Sequence, residues 1–159
     1  MPYAASTTVT IEASRGEIER TLKRYGADAF GYVEDARVVR IAFRMKNRQF
    51  RFTLTMPDPK EERFTHVMKG AVGLQPRSMA SRVNVYDQAC RTMWRALLLV
   101  IKAKLEAVEV GIVTLEDEFL AQTVTGSGET VSELIQPQLI EHYKDPKRPL
   151  MLGGPSPSR

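Results

Sequence analysis

Between Tyr86 and Val110, apolar residues recur at steps of three and four: Tyr86, Cys90, Met93, Leu97, Ile101, Leu105 and Val108. That spacing predicts one face of a helix. Ala89, Ala96, Val100, Ala103, Ala107 and Val110 widen the stripe, while Arg91, Arg95, Lys102, Glu106 and Glu109 leave a polar strip. A helix with so narrow a polar strip is covered on most sides, so it is the expected central support of the domain. Its charge-free centre runs only from Ala96 to Ile101, far short of the ~18 apolar residues of a membrane span.

The second pattern is alternation. Arg37 to Met45 places Val39, Ile41, Phe43 and Met45 on one face and Arg40, Ala42 and Arg44 on the other. After a turn at Lys46-Asn47, Arg48 to Met56 returns with Phe50, Phe52, Leu54 and Met56 inward, and Gln49, Arg51, Thr53 and Thr55 outward. This describes a sheet with one face on the core and one in water. Shorter strands are expected at Thr7–Ile11, with Val9 and Ile11 inward, and at Ala29–Val33, followed by a turn at Glu34-Asp35. Between them a helix is expected to open at Ser14, with Glu17 completing a capping box. Ile18, Leu22 and Tyr25 form its apolar face, and Gly26 stops it.

Lys60 to Val85 follows neither period. A helical turn fits around Glu61–Met68, Gly70, Gly73 and Pro76 argue against regular structure, and Ser78 to Arg82 suits a flexible loop. A connection this long is usually a binding or mobile segment. After Gly111, Thr114 and Asp117 cap a short helix packed through Leu115, Phe119 and Leu120. Thr123 to Thr125 reads as extended. Thr130 and Glu133 form a second capping box, opening a helix that Pro137 should kink or divide. The resulting class is α+β: an antiparallel sheet of three to four strands packed against a long central helix, with two short C-terminal helices. Residues 7–145 make one domain, and 146–159 a flexible C-terminal tail.

Composition adds little until its distribution is considered. A chain of 159 residues, 43% hydrophobic and 26% charged, suits one globular domain. A single cysteine excludes an intramolecular disulfide. With no apolar leader in Met1–Ser14, a cytoplasmic protein without a membrane partner is expected. The net charge of +4 leans toward anionic partners. The hairpin carries Arg37, Arg40, Arg44, Lys46, Arg48 and Arg51, and no acidic residue lies from Arg37 to Phe52. Arg63, Lys69, Arg77 and Arg82 continue the basic character beyond it. From Glu106 to Glu141, by contrast, there are eight acidic residues and no Lys or Arg.

Arginines on an open sheet face suit a phosphate backbone, and Tyr3 and Tyr32 could stack on bases. The ten basic residues named above are therefore the candidate single-stranded nucleic-acid site. The simpler reading is a solvated face whose long stems cover apolar surface. The opposed acidic half also permits homo-oligomers, in which a basic face meets an acidic one. Metal chemistry has less to stand on. His66 and His142 are isolated, Cys90 lies on the core stripe, and Glu116, Asp117 and Glu118 fan out around a helix. Asp28, Asp35 and Asp58 sit near strand ends and could gather a magnesium ion for a nuclease. Pro57-Asp58 resembles the opening of a restriction-type nuclease motif, but no strand with its Glu-x-Lys element follows. Gly70-x-x-Gly73 lacks the rest of a phosphate-binding loop. No catalytic residue and no cofactor is expected.

Glu17-Ile18-Glu19, Leu22, Arg24-Tyr25-Gly26-Ala27 and Phe30, together with Trp94 to Val108, resemble a family of small uncharacterised phage and prokaryotic proteins, over most of the chain. The resemblance implies a phage or mobile-element protein and transfers no activity. Separately, a helix on a twisted sheet with a basic hairpin is similar in layout to single-strand annealing proteins of the Rad52-like class, which implies a ring with a basic groove. The leading expectation is a single-stranded nucleic-acid-binding or annealing protein. The alternatives are a non-enzymatic protein-interaction factor, such as a phage inhibitor or assembly component, and a metal-dependent nuclease.

Overall fold

The computed structural model describes residues 4–150. In chain order they form α1 (Ile11–Arg24), β1 (Ala29–Asp35), β2 (Val38–Met45), β3 (Arg48–Thr55), α2 (Glu62–Thr65), β4 (His66–Lys69), β5 (Gly73–Pro76), α3 (Met79–Glu109), α4 (Leu115–Glu118) and α5 (Val131–Lys144). The fold is α+β. Lys46 and Asn47 both have positive φ, at 49° and 60°. Two such residues make the tight turn whose twist matches paired strands. The turn sets the register: Met45 pairs with Arg48, Phe43 with Phe50, Ile41 with Phe52 and Val39 with Leu54. β1 pairs antiparallel on the other side of β2, with Phe30 opposite Phe43. Its turn falls at Ala36-Arg37, so Glu34 and Asp35 belong to the strand.

Alternation then does what the sequence pattern requires. Val39, Ile41, Phe43, Met45, Phe50 and Phe52 are buried on one face of the sheet. Phe119, just beyond α4, closes an aromatic cluster there, its ring 5.4 Å from Phe50 and edge-on to Phe43 at 5.8 Å. α3 meets the same core through Cys90, Trp94, Leu97, Leu98, Ile101 and Leu105. α1 packs beside α3 through Ile18 and Leu22. Glu17 joins the two helices, accepting from Arg95 Nη1 at 2.9 Å and from Lys102 Nζ. Among the described residues no helix is long and apolar enough to cross a membrane.

Several expectations are corrected. Thr7–Thr10 is not a strand, because Thr10 caps α1 by accepting from Ala13 N. Ser14 is therefore inside the helix and fully buried, while Glu17 faces α3 and makes no box with it. The Lys60–Val85 segment is largely regular. β4 and β5 form a hairpin with Met68 opposite Leu74. Gly70 and Gly73, read as breakers, supply the positive φ values of 44° and 81° at its turn. Ser78 is the N-cap of α3, accepting from Ser81 N, so the helix starts about two turns before Tyr86. α5 continues through Pro137 as one helix, opened by the Thr130–Glu133 capping box. Of the expected tail, Arg148 reaches back to Glu141 at 3.2 Å, while residues 151–159 lie outside the described part.

Trp94 is 1% exposed. Trp94→Ala should therefore cost about 3–5 kcal/mol, read as a lower denaturant midpoint at unchanged slope. Met79, the first residue of α3 and 75% exposed, should cost under about 0.5 kcal/mol on truncation to Ala.

Candidate functional site

The outward face of the sheet is built from alternate residues of three strands. Arg44 lies between Ala29 and Gln49, Ala42 between Gly31 and Arg51, and Arg40 between Val33 and Thr53. Ala29, Gly31 and Ala42 are small, so they leave a shallow depression of about 260 Å³ beside Arg44 and Gln49. The basic face read from the alternation therefore exists.

Its charge does not stand alone. Arg44 Nε donates to Asp28 at 2.8 Å. Arg37 faces Asp58 at 3.6 Å, and Arg48 lies 3.2 Å from Glu116. Arg51 donates to the Gly128 carbonyl at 2.9 Å and to Glu133 at 2.5 Å. These four carboxylates come from four segments outside the hairpin. Within it, only Arg40 and Lys46 have no carboxylate in ion-pair range among the described residues. The pairs differ in strength. Arg44 and Asp28 are both more than half exposed, so their attraction is screened and worth about 0–1 kcal/mol. The Arg44 hydrogen bond still holds the Asp28 carboxyl below its ordinary range. Arg51 is mostly covered and held by two acceptors, so it is a strut between β3 and the start of α5.

The other predicted basic residues divide likewise. Arg63 pairs with Glu61 at 2.7 Å. Arg77 Nε donates to the His66 carbonyl at 2.9 Å, and Arg82 Nε to the Arg77 carbonyl at 3.1 Å. Lys69, Arg77 and Arg82 have no carboxylate partner among the described residues. All three belong to one projecting unit, an arm made of the β4–β5 hairpin and the first turns of α3. The arm is also apolar outside. Met68 and Leu74, paired across the hairpin, are both exposed, and Val72 at its tip is 73% exposed. Met79 and Val83, one turn apart on α3, are exposed as well. Phe64 is buried at the base, packed edge-on against Tyr86 at 5.4 Å. These apolar residues are the part sequence reading missed. Their signal was the pair of glycines framing Val67-Met68 and Leu74, and the Ser78 cap.

Other candidates fall away on geometry. Tyr32 lies on the inner side of β1, its ring beneath the Arg15 guanidinium at 4.1 Å and its hydroxyl accepting from Arg15 at 2.7 Å. It is tied to α1 through that contact while remaining 43% exposed. Tyr3 lies outside the described residues. Asp28 and Asp58 bind Arg44 and Arg37 at opposite ends of β2. Among the described residues no three His, Cys, Asp or Glu side chains gather as a metal site. Cys90 is buried, and burial pushes its thiol pKa up, away from reactivity. Comparison of the chain with family models, with characterised proteins and with solved structures finds no match.

The strut at Arg51 has a pH signature. The Thr130 backbone N–H, then Arg51, hold the Glu133 carboxyl below its ordinary value of 4.5. Its stabilising effect is complete above that value and is lost as pH falls through the lower folded-state pKa. Glu133→Gln should therefore lower the melting temperature at neutral pH, and the difference from the parent should vanish in acid. A thermal melt series from about pH 7 to about pH 3 checks this.

Proposed function

We propose that this chain is a non-enzymatic interaction protein that docks its arm on a protein surface carrying acidic and apolar side chains. The observation that carries the reading is the coincidence, on one projecting unit, of Met68, Val72, Leu74, Met79 and Val83 with Lys69, Arg77 and Arg82. A two-stranded hairpin is marginal by itself in water. Its side chains bury little in the monomer, so selection for folding gives no reason for exposed Met68 opposite exposed Leu74. Apolar contact supplies affinity, and uncompensated cations supply orientation and choice of partner. Met68→Ser with Leu74→Ser should change stability by under about 0.5 kcal/mol. The same pair should abolish a photo-crosslink made in cells from a probe at Val72. A crosslink that persists in the double variant, or none in the parent, would defeat the reading.

A second reading keeps the nucleic-acid expectation in narrower form. Among the described residues Arg40 has no carboxylate in ion-pair range beside the floor of Ala29, Gly31 and Ala42, and the Arg44 side chain is bound by an exposed carboxylate. A phosphate backbone could approach that floor closely and compete with Asp28. Titration of a labelled single-stranded oligonucleotide should then show salt-dependent binding, with a log–log slope near 0.7 per phosphate neutralised. Arg40→Glu with Arg44→Glu should remove it. Equal binding by that variant would end this reading.

A further inference from the structure

α3 carries charges of the wrong sign at both ends. A helix has partial positive charge at its N-terminus and partial negative charge at its C-terminus, and is stabilised by acidic residues at the first and basic residues at the last. α1 obeys this rule, with Glu12 in its first turn and Lys23 and Arg24 in its last. α5 obeys it too, with Glu133 first and His142 and Lys144 last. α3 has no acidic residue in its first turn and no basic one in its last. Arg77 and Arg82 instead flank its start, and Glu106 and Glu109 lie at its end. Among the described residues no carboxylate pairs with Arg77 or Arg82, and no cation is in ion-pair range of Glu106 or Glu109. Arg77 and Arg82 bind carbonyls, and Glu106 accepts from the Tyr25 hydroxyl at 2.8 Å.

The two ends also match in their apolar surface. Beside the N-terminus stand the exposed side chains of the arm. Beyond the C-terminus, Val110 and Ile112 are exposed, Ile112 at 80%. Glu109 and Asp117 border them. Neither has an ion-pair partner among the described residues, although Arg24 and Lys46 stand near Glu109. Arg48 and Lys104 are already engaged by Glu116 and Glu118. One end of the helix thus offers cations without a carboxylate partner beside apolar side chains, and the other offers Glu109 and Asp117 near apolar side chains.

We infer that the partner of the arm is a second copy of this chain, its arm docked on the Glu109–Ile112 turn of the neighbour. This rests on the interaction reading above and names its partner. Head-to-tail contact brings the positive end of one α3 to the negative end of the next, so Lys69 and Arg82 meet Glu109 and Asp117. Arm-to-arm contact would place cation on cation. A contact between unlike patches leaves one of each open, so it repeats into a ring or a filament.

The test is the association state of the purified full chain, by light scattering across concentration and salt. The parent should self-associate, less so as salt rises. Lys69→Glu with Arg82→Glu should weaken association at least about tenfold, and so should Glu109→Lys with Asp117→Lys. Mixing those two proteins should restore association beyond that of either alone, because each reversed patch meets an oppositely charged one on the other protein. If the parent is monomeric while the Val72 crosslink captures another protein, the interaction reading stands and the self-assembly inference falls. If the parent is monomeric and nothing is captured, both fall. Equal association by the parent and both charge variants would also overturn the inference.

Discussion

One apolar stripe on α3 must be covered, and the sheet is too short to cover it. The helix has 31 residues and spans about 46 Å. The eight-residue strands β2 and β3 reach only about 26 Å. From Cys90 to Leu105 the stripe is sealed by the inner face of the sheet, by α1 and by Phe119. Toward the N-terminus the same stripe runs on through Tyr86, Val83 and Met79. There Phe64 covers Tyr86, and little covers the rest. The exposure of Met79 and Val83 is the remainder left when a long helix is seated on a small sheet.

Charge in this molecule mostly fastens segments together. Each cation of the hairpin that finds a carboxylate finds it on a distant part of the chain: Asp28 before β1, Asp58 after β3, Glu116 in α4 and Glu133 in α5. Exposed pairs of this kind contribute little individually. Their effect is on arrangement, because they dock the acidic C-terminal segments on the rim of the basic sheet. Glu17 does the same between α1 and α3 with two cations on one carboxylate. Lys102 and Arg95 together hold that carboxyl below its ordinary range. What stays unpaired is confined to a few places, and those are the places where a partner gains most.

The alternation of β2 and β3 was legible because it reports directly on burial: Val39, Ile41, Phe43, Phe50 and Phe52 are inward, as their spacing says. So were the Lys46-Asn47 turn and the Thr130 capping box, each a local rule with a local cause. Ser14 misled because Ser-x-x-Glu is a local signature, while its real surroundings are tertiary: Thr10 had already started the helix, and α3 took Glu17. The β4–β5 hairpin was invisible for a different reason. Periodicity marks elements that bury one face, and this hairpin leaves both Met68 and Leu74 in water. The basic run at 37–51 lies on the outward face as its alternation says, but the carboxylates beside it could not be read from the run itself. Sequence displays charges along the chain, and the acids that answer them arrive from residues up to 82 positions away.

The dimensions of α3 carry one more consequence. The arm and the Glu109–Ile112 turn sit on the two ends of a single rod, so their separation and relative azimuth are both set by how many residues lie between them. Each residue turns the helix by about 100° and lengthens it by about 1.5 Å. Adding one residue to the middle would leave both ends intact yet point them in different directions. Adding seven would lengthen the rod by about 10 Å while restoring the alignment to within about 20°. Any assembly that engages both ends inherits its repeat distance and its handedness from this count, so the helix acts as a ruler that also fixes phase.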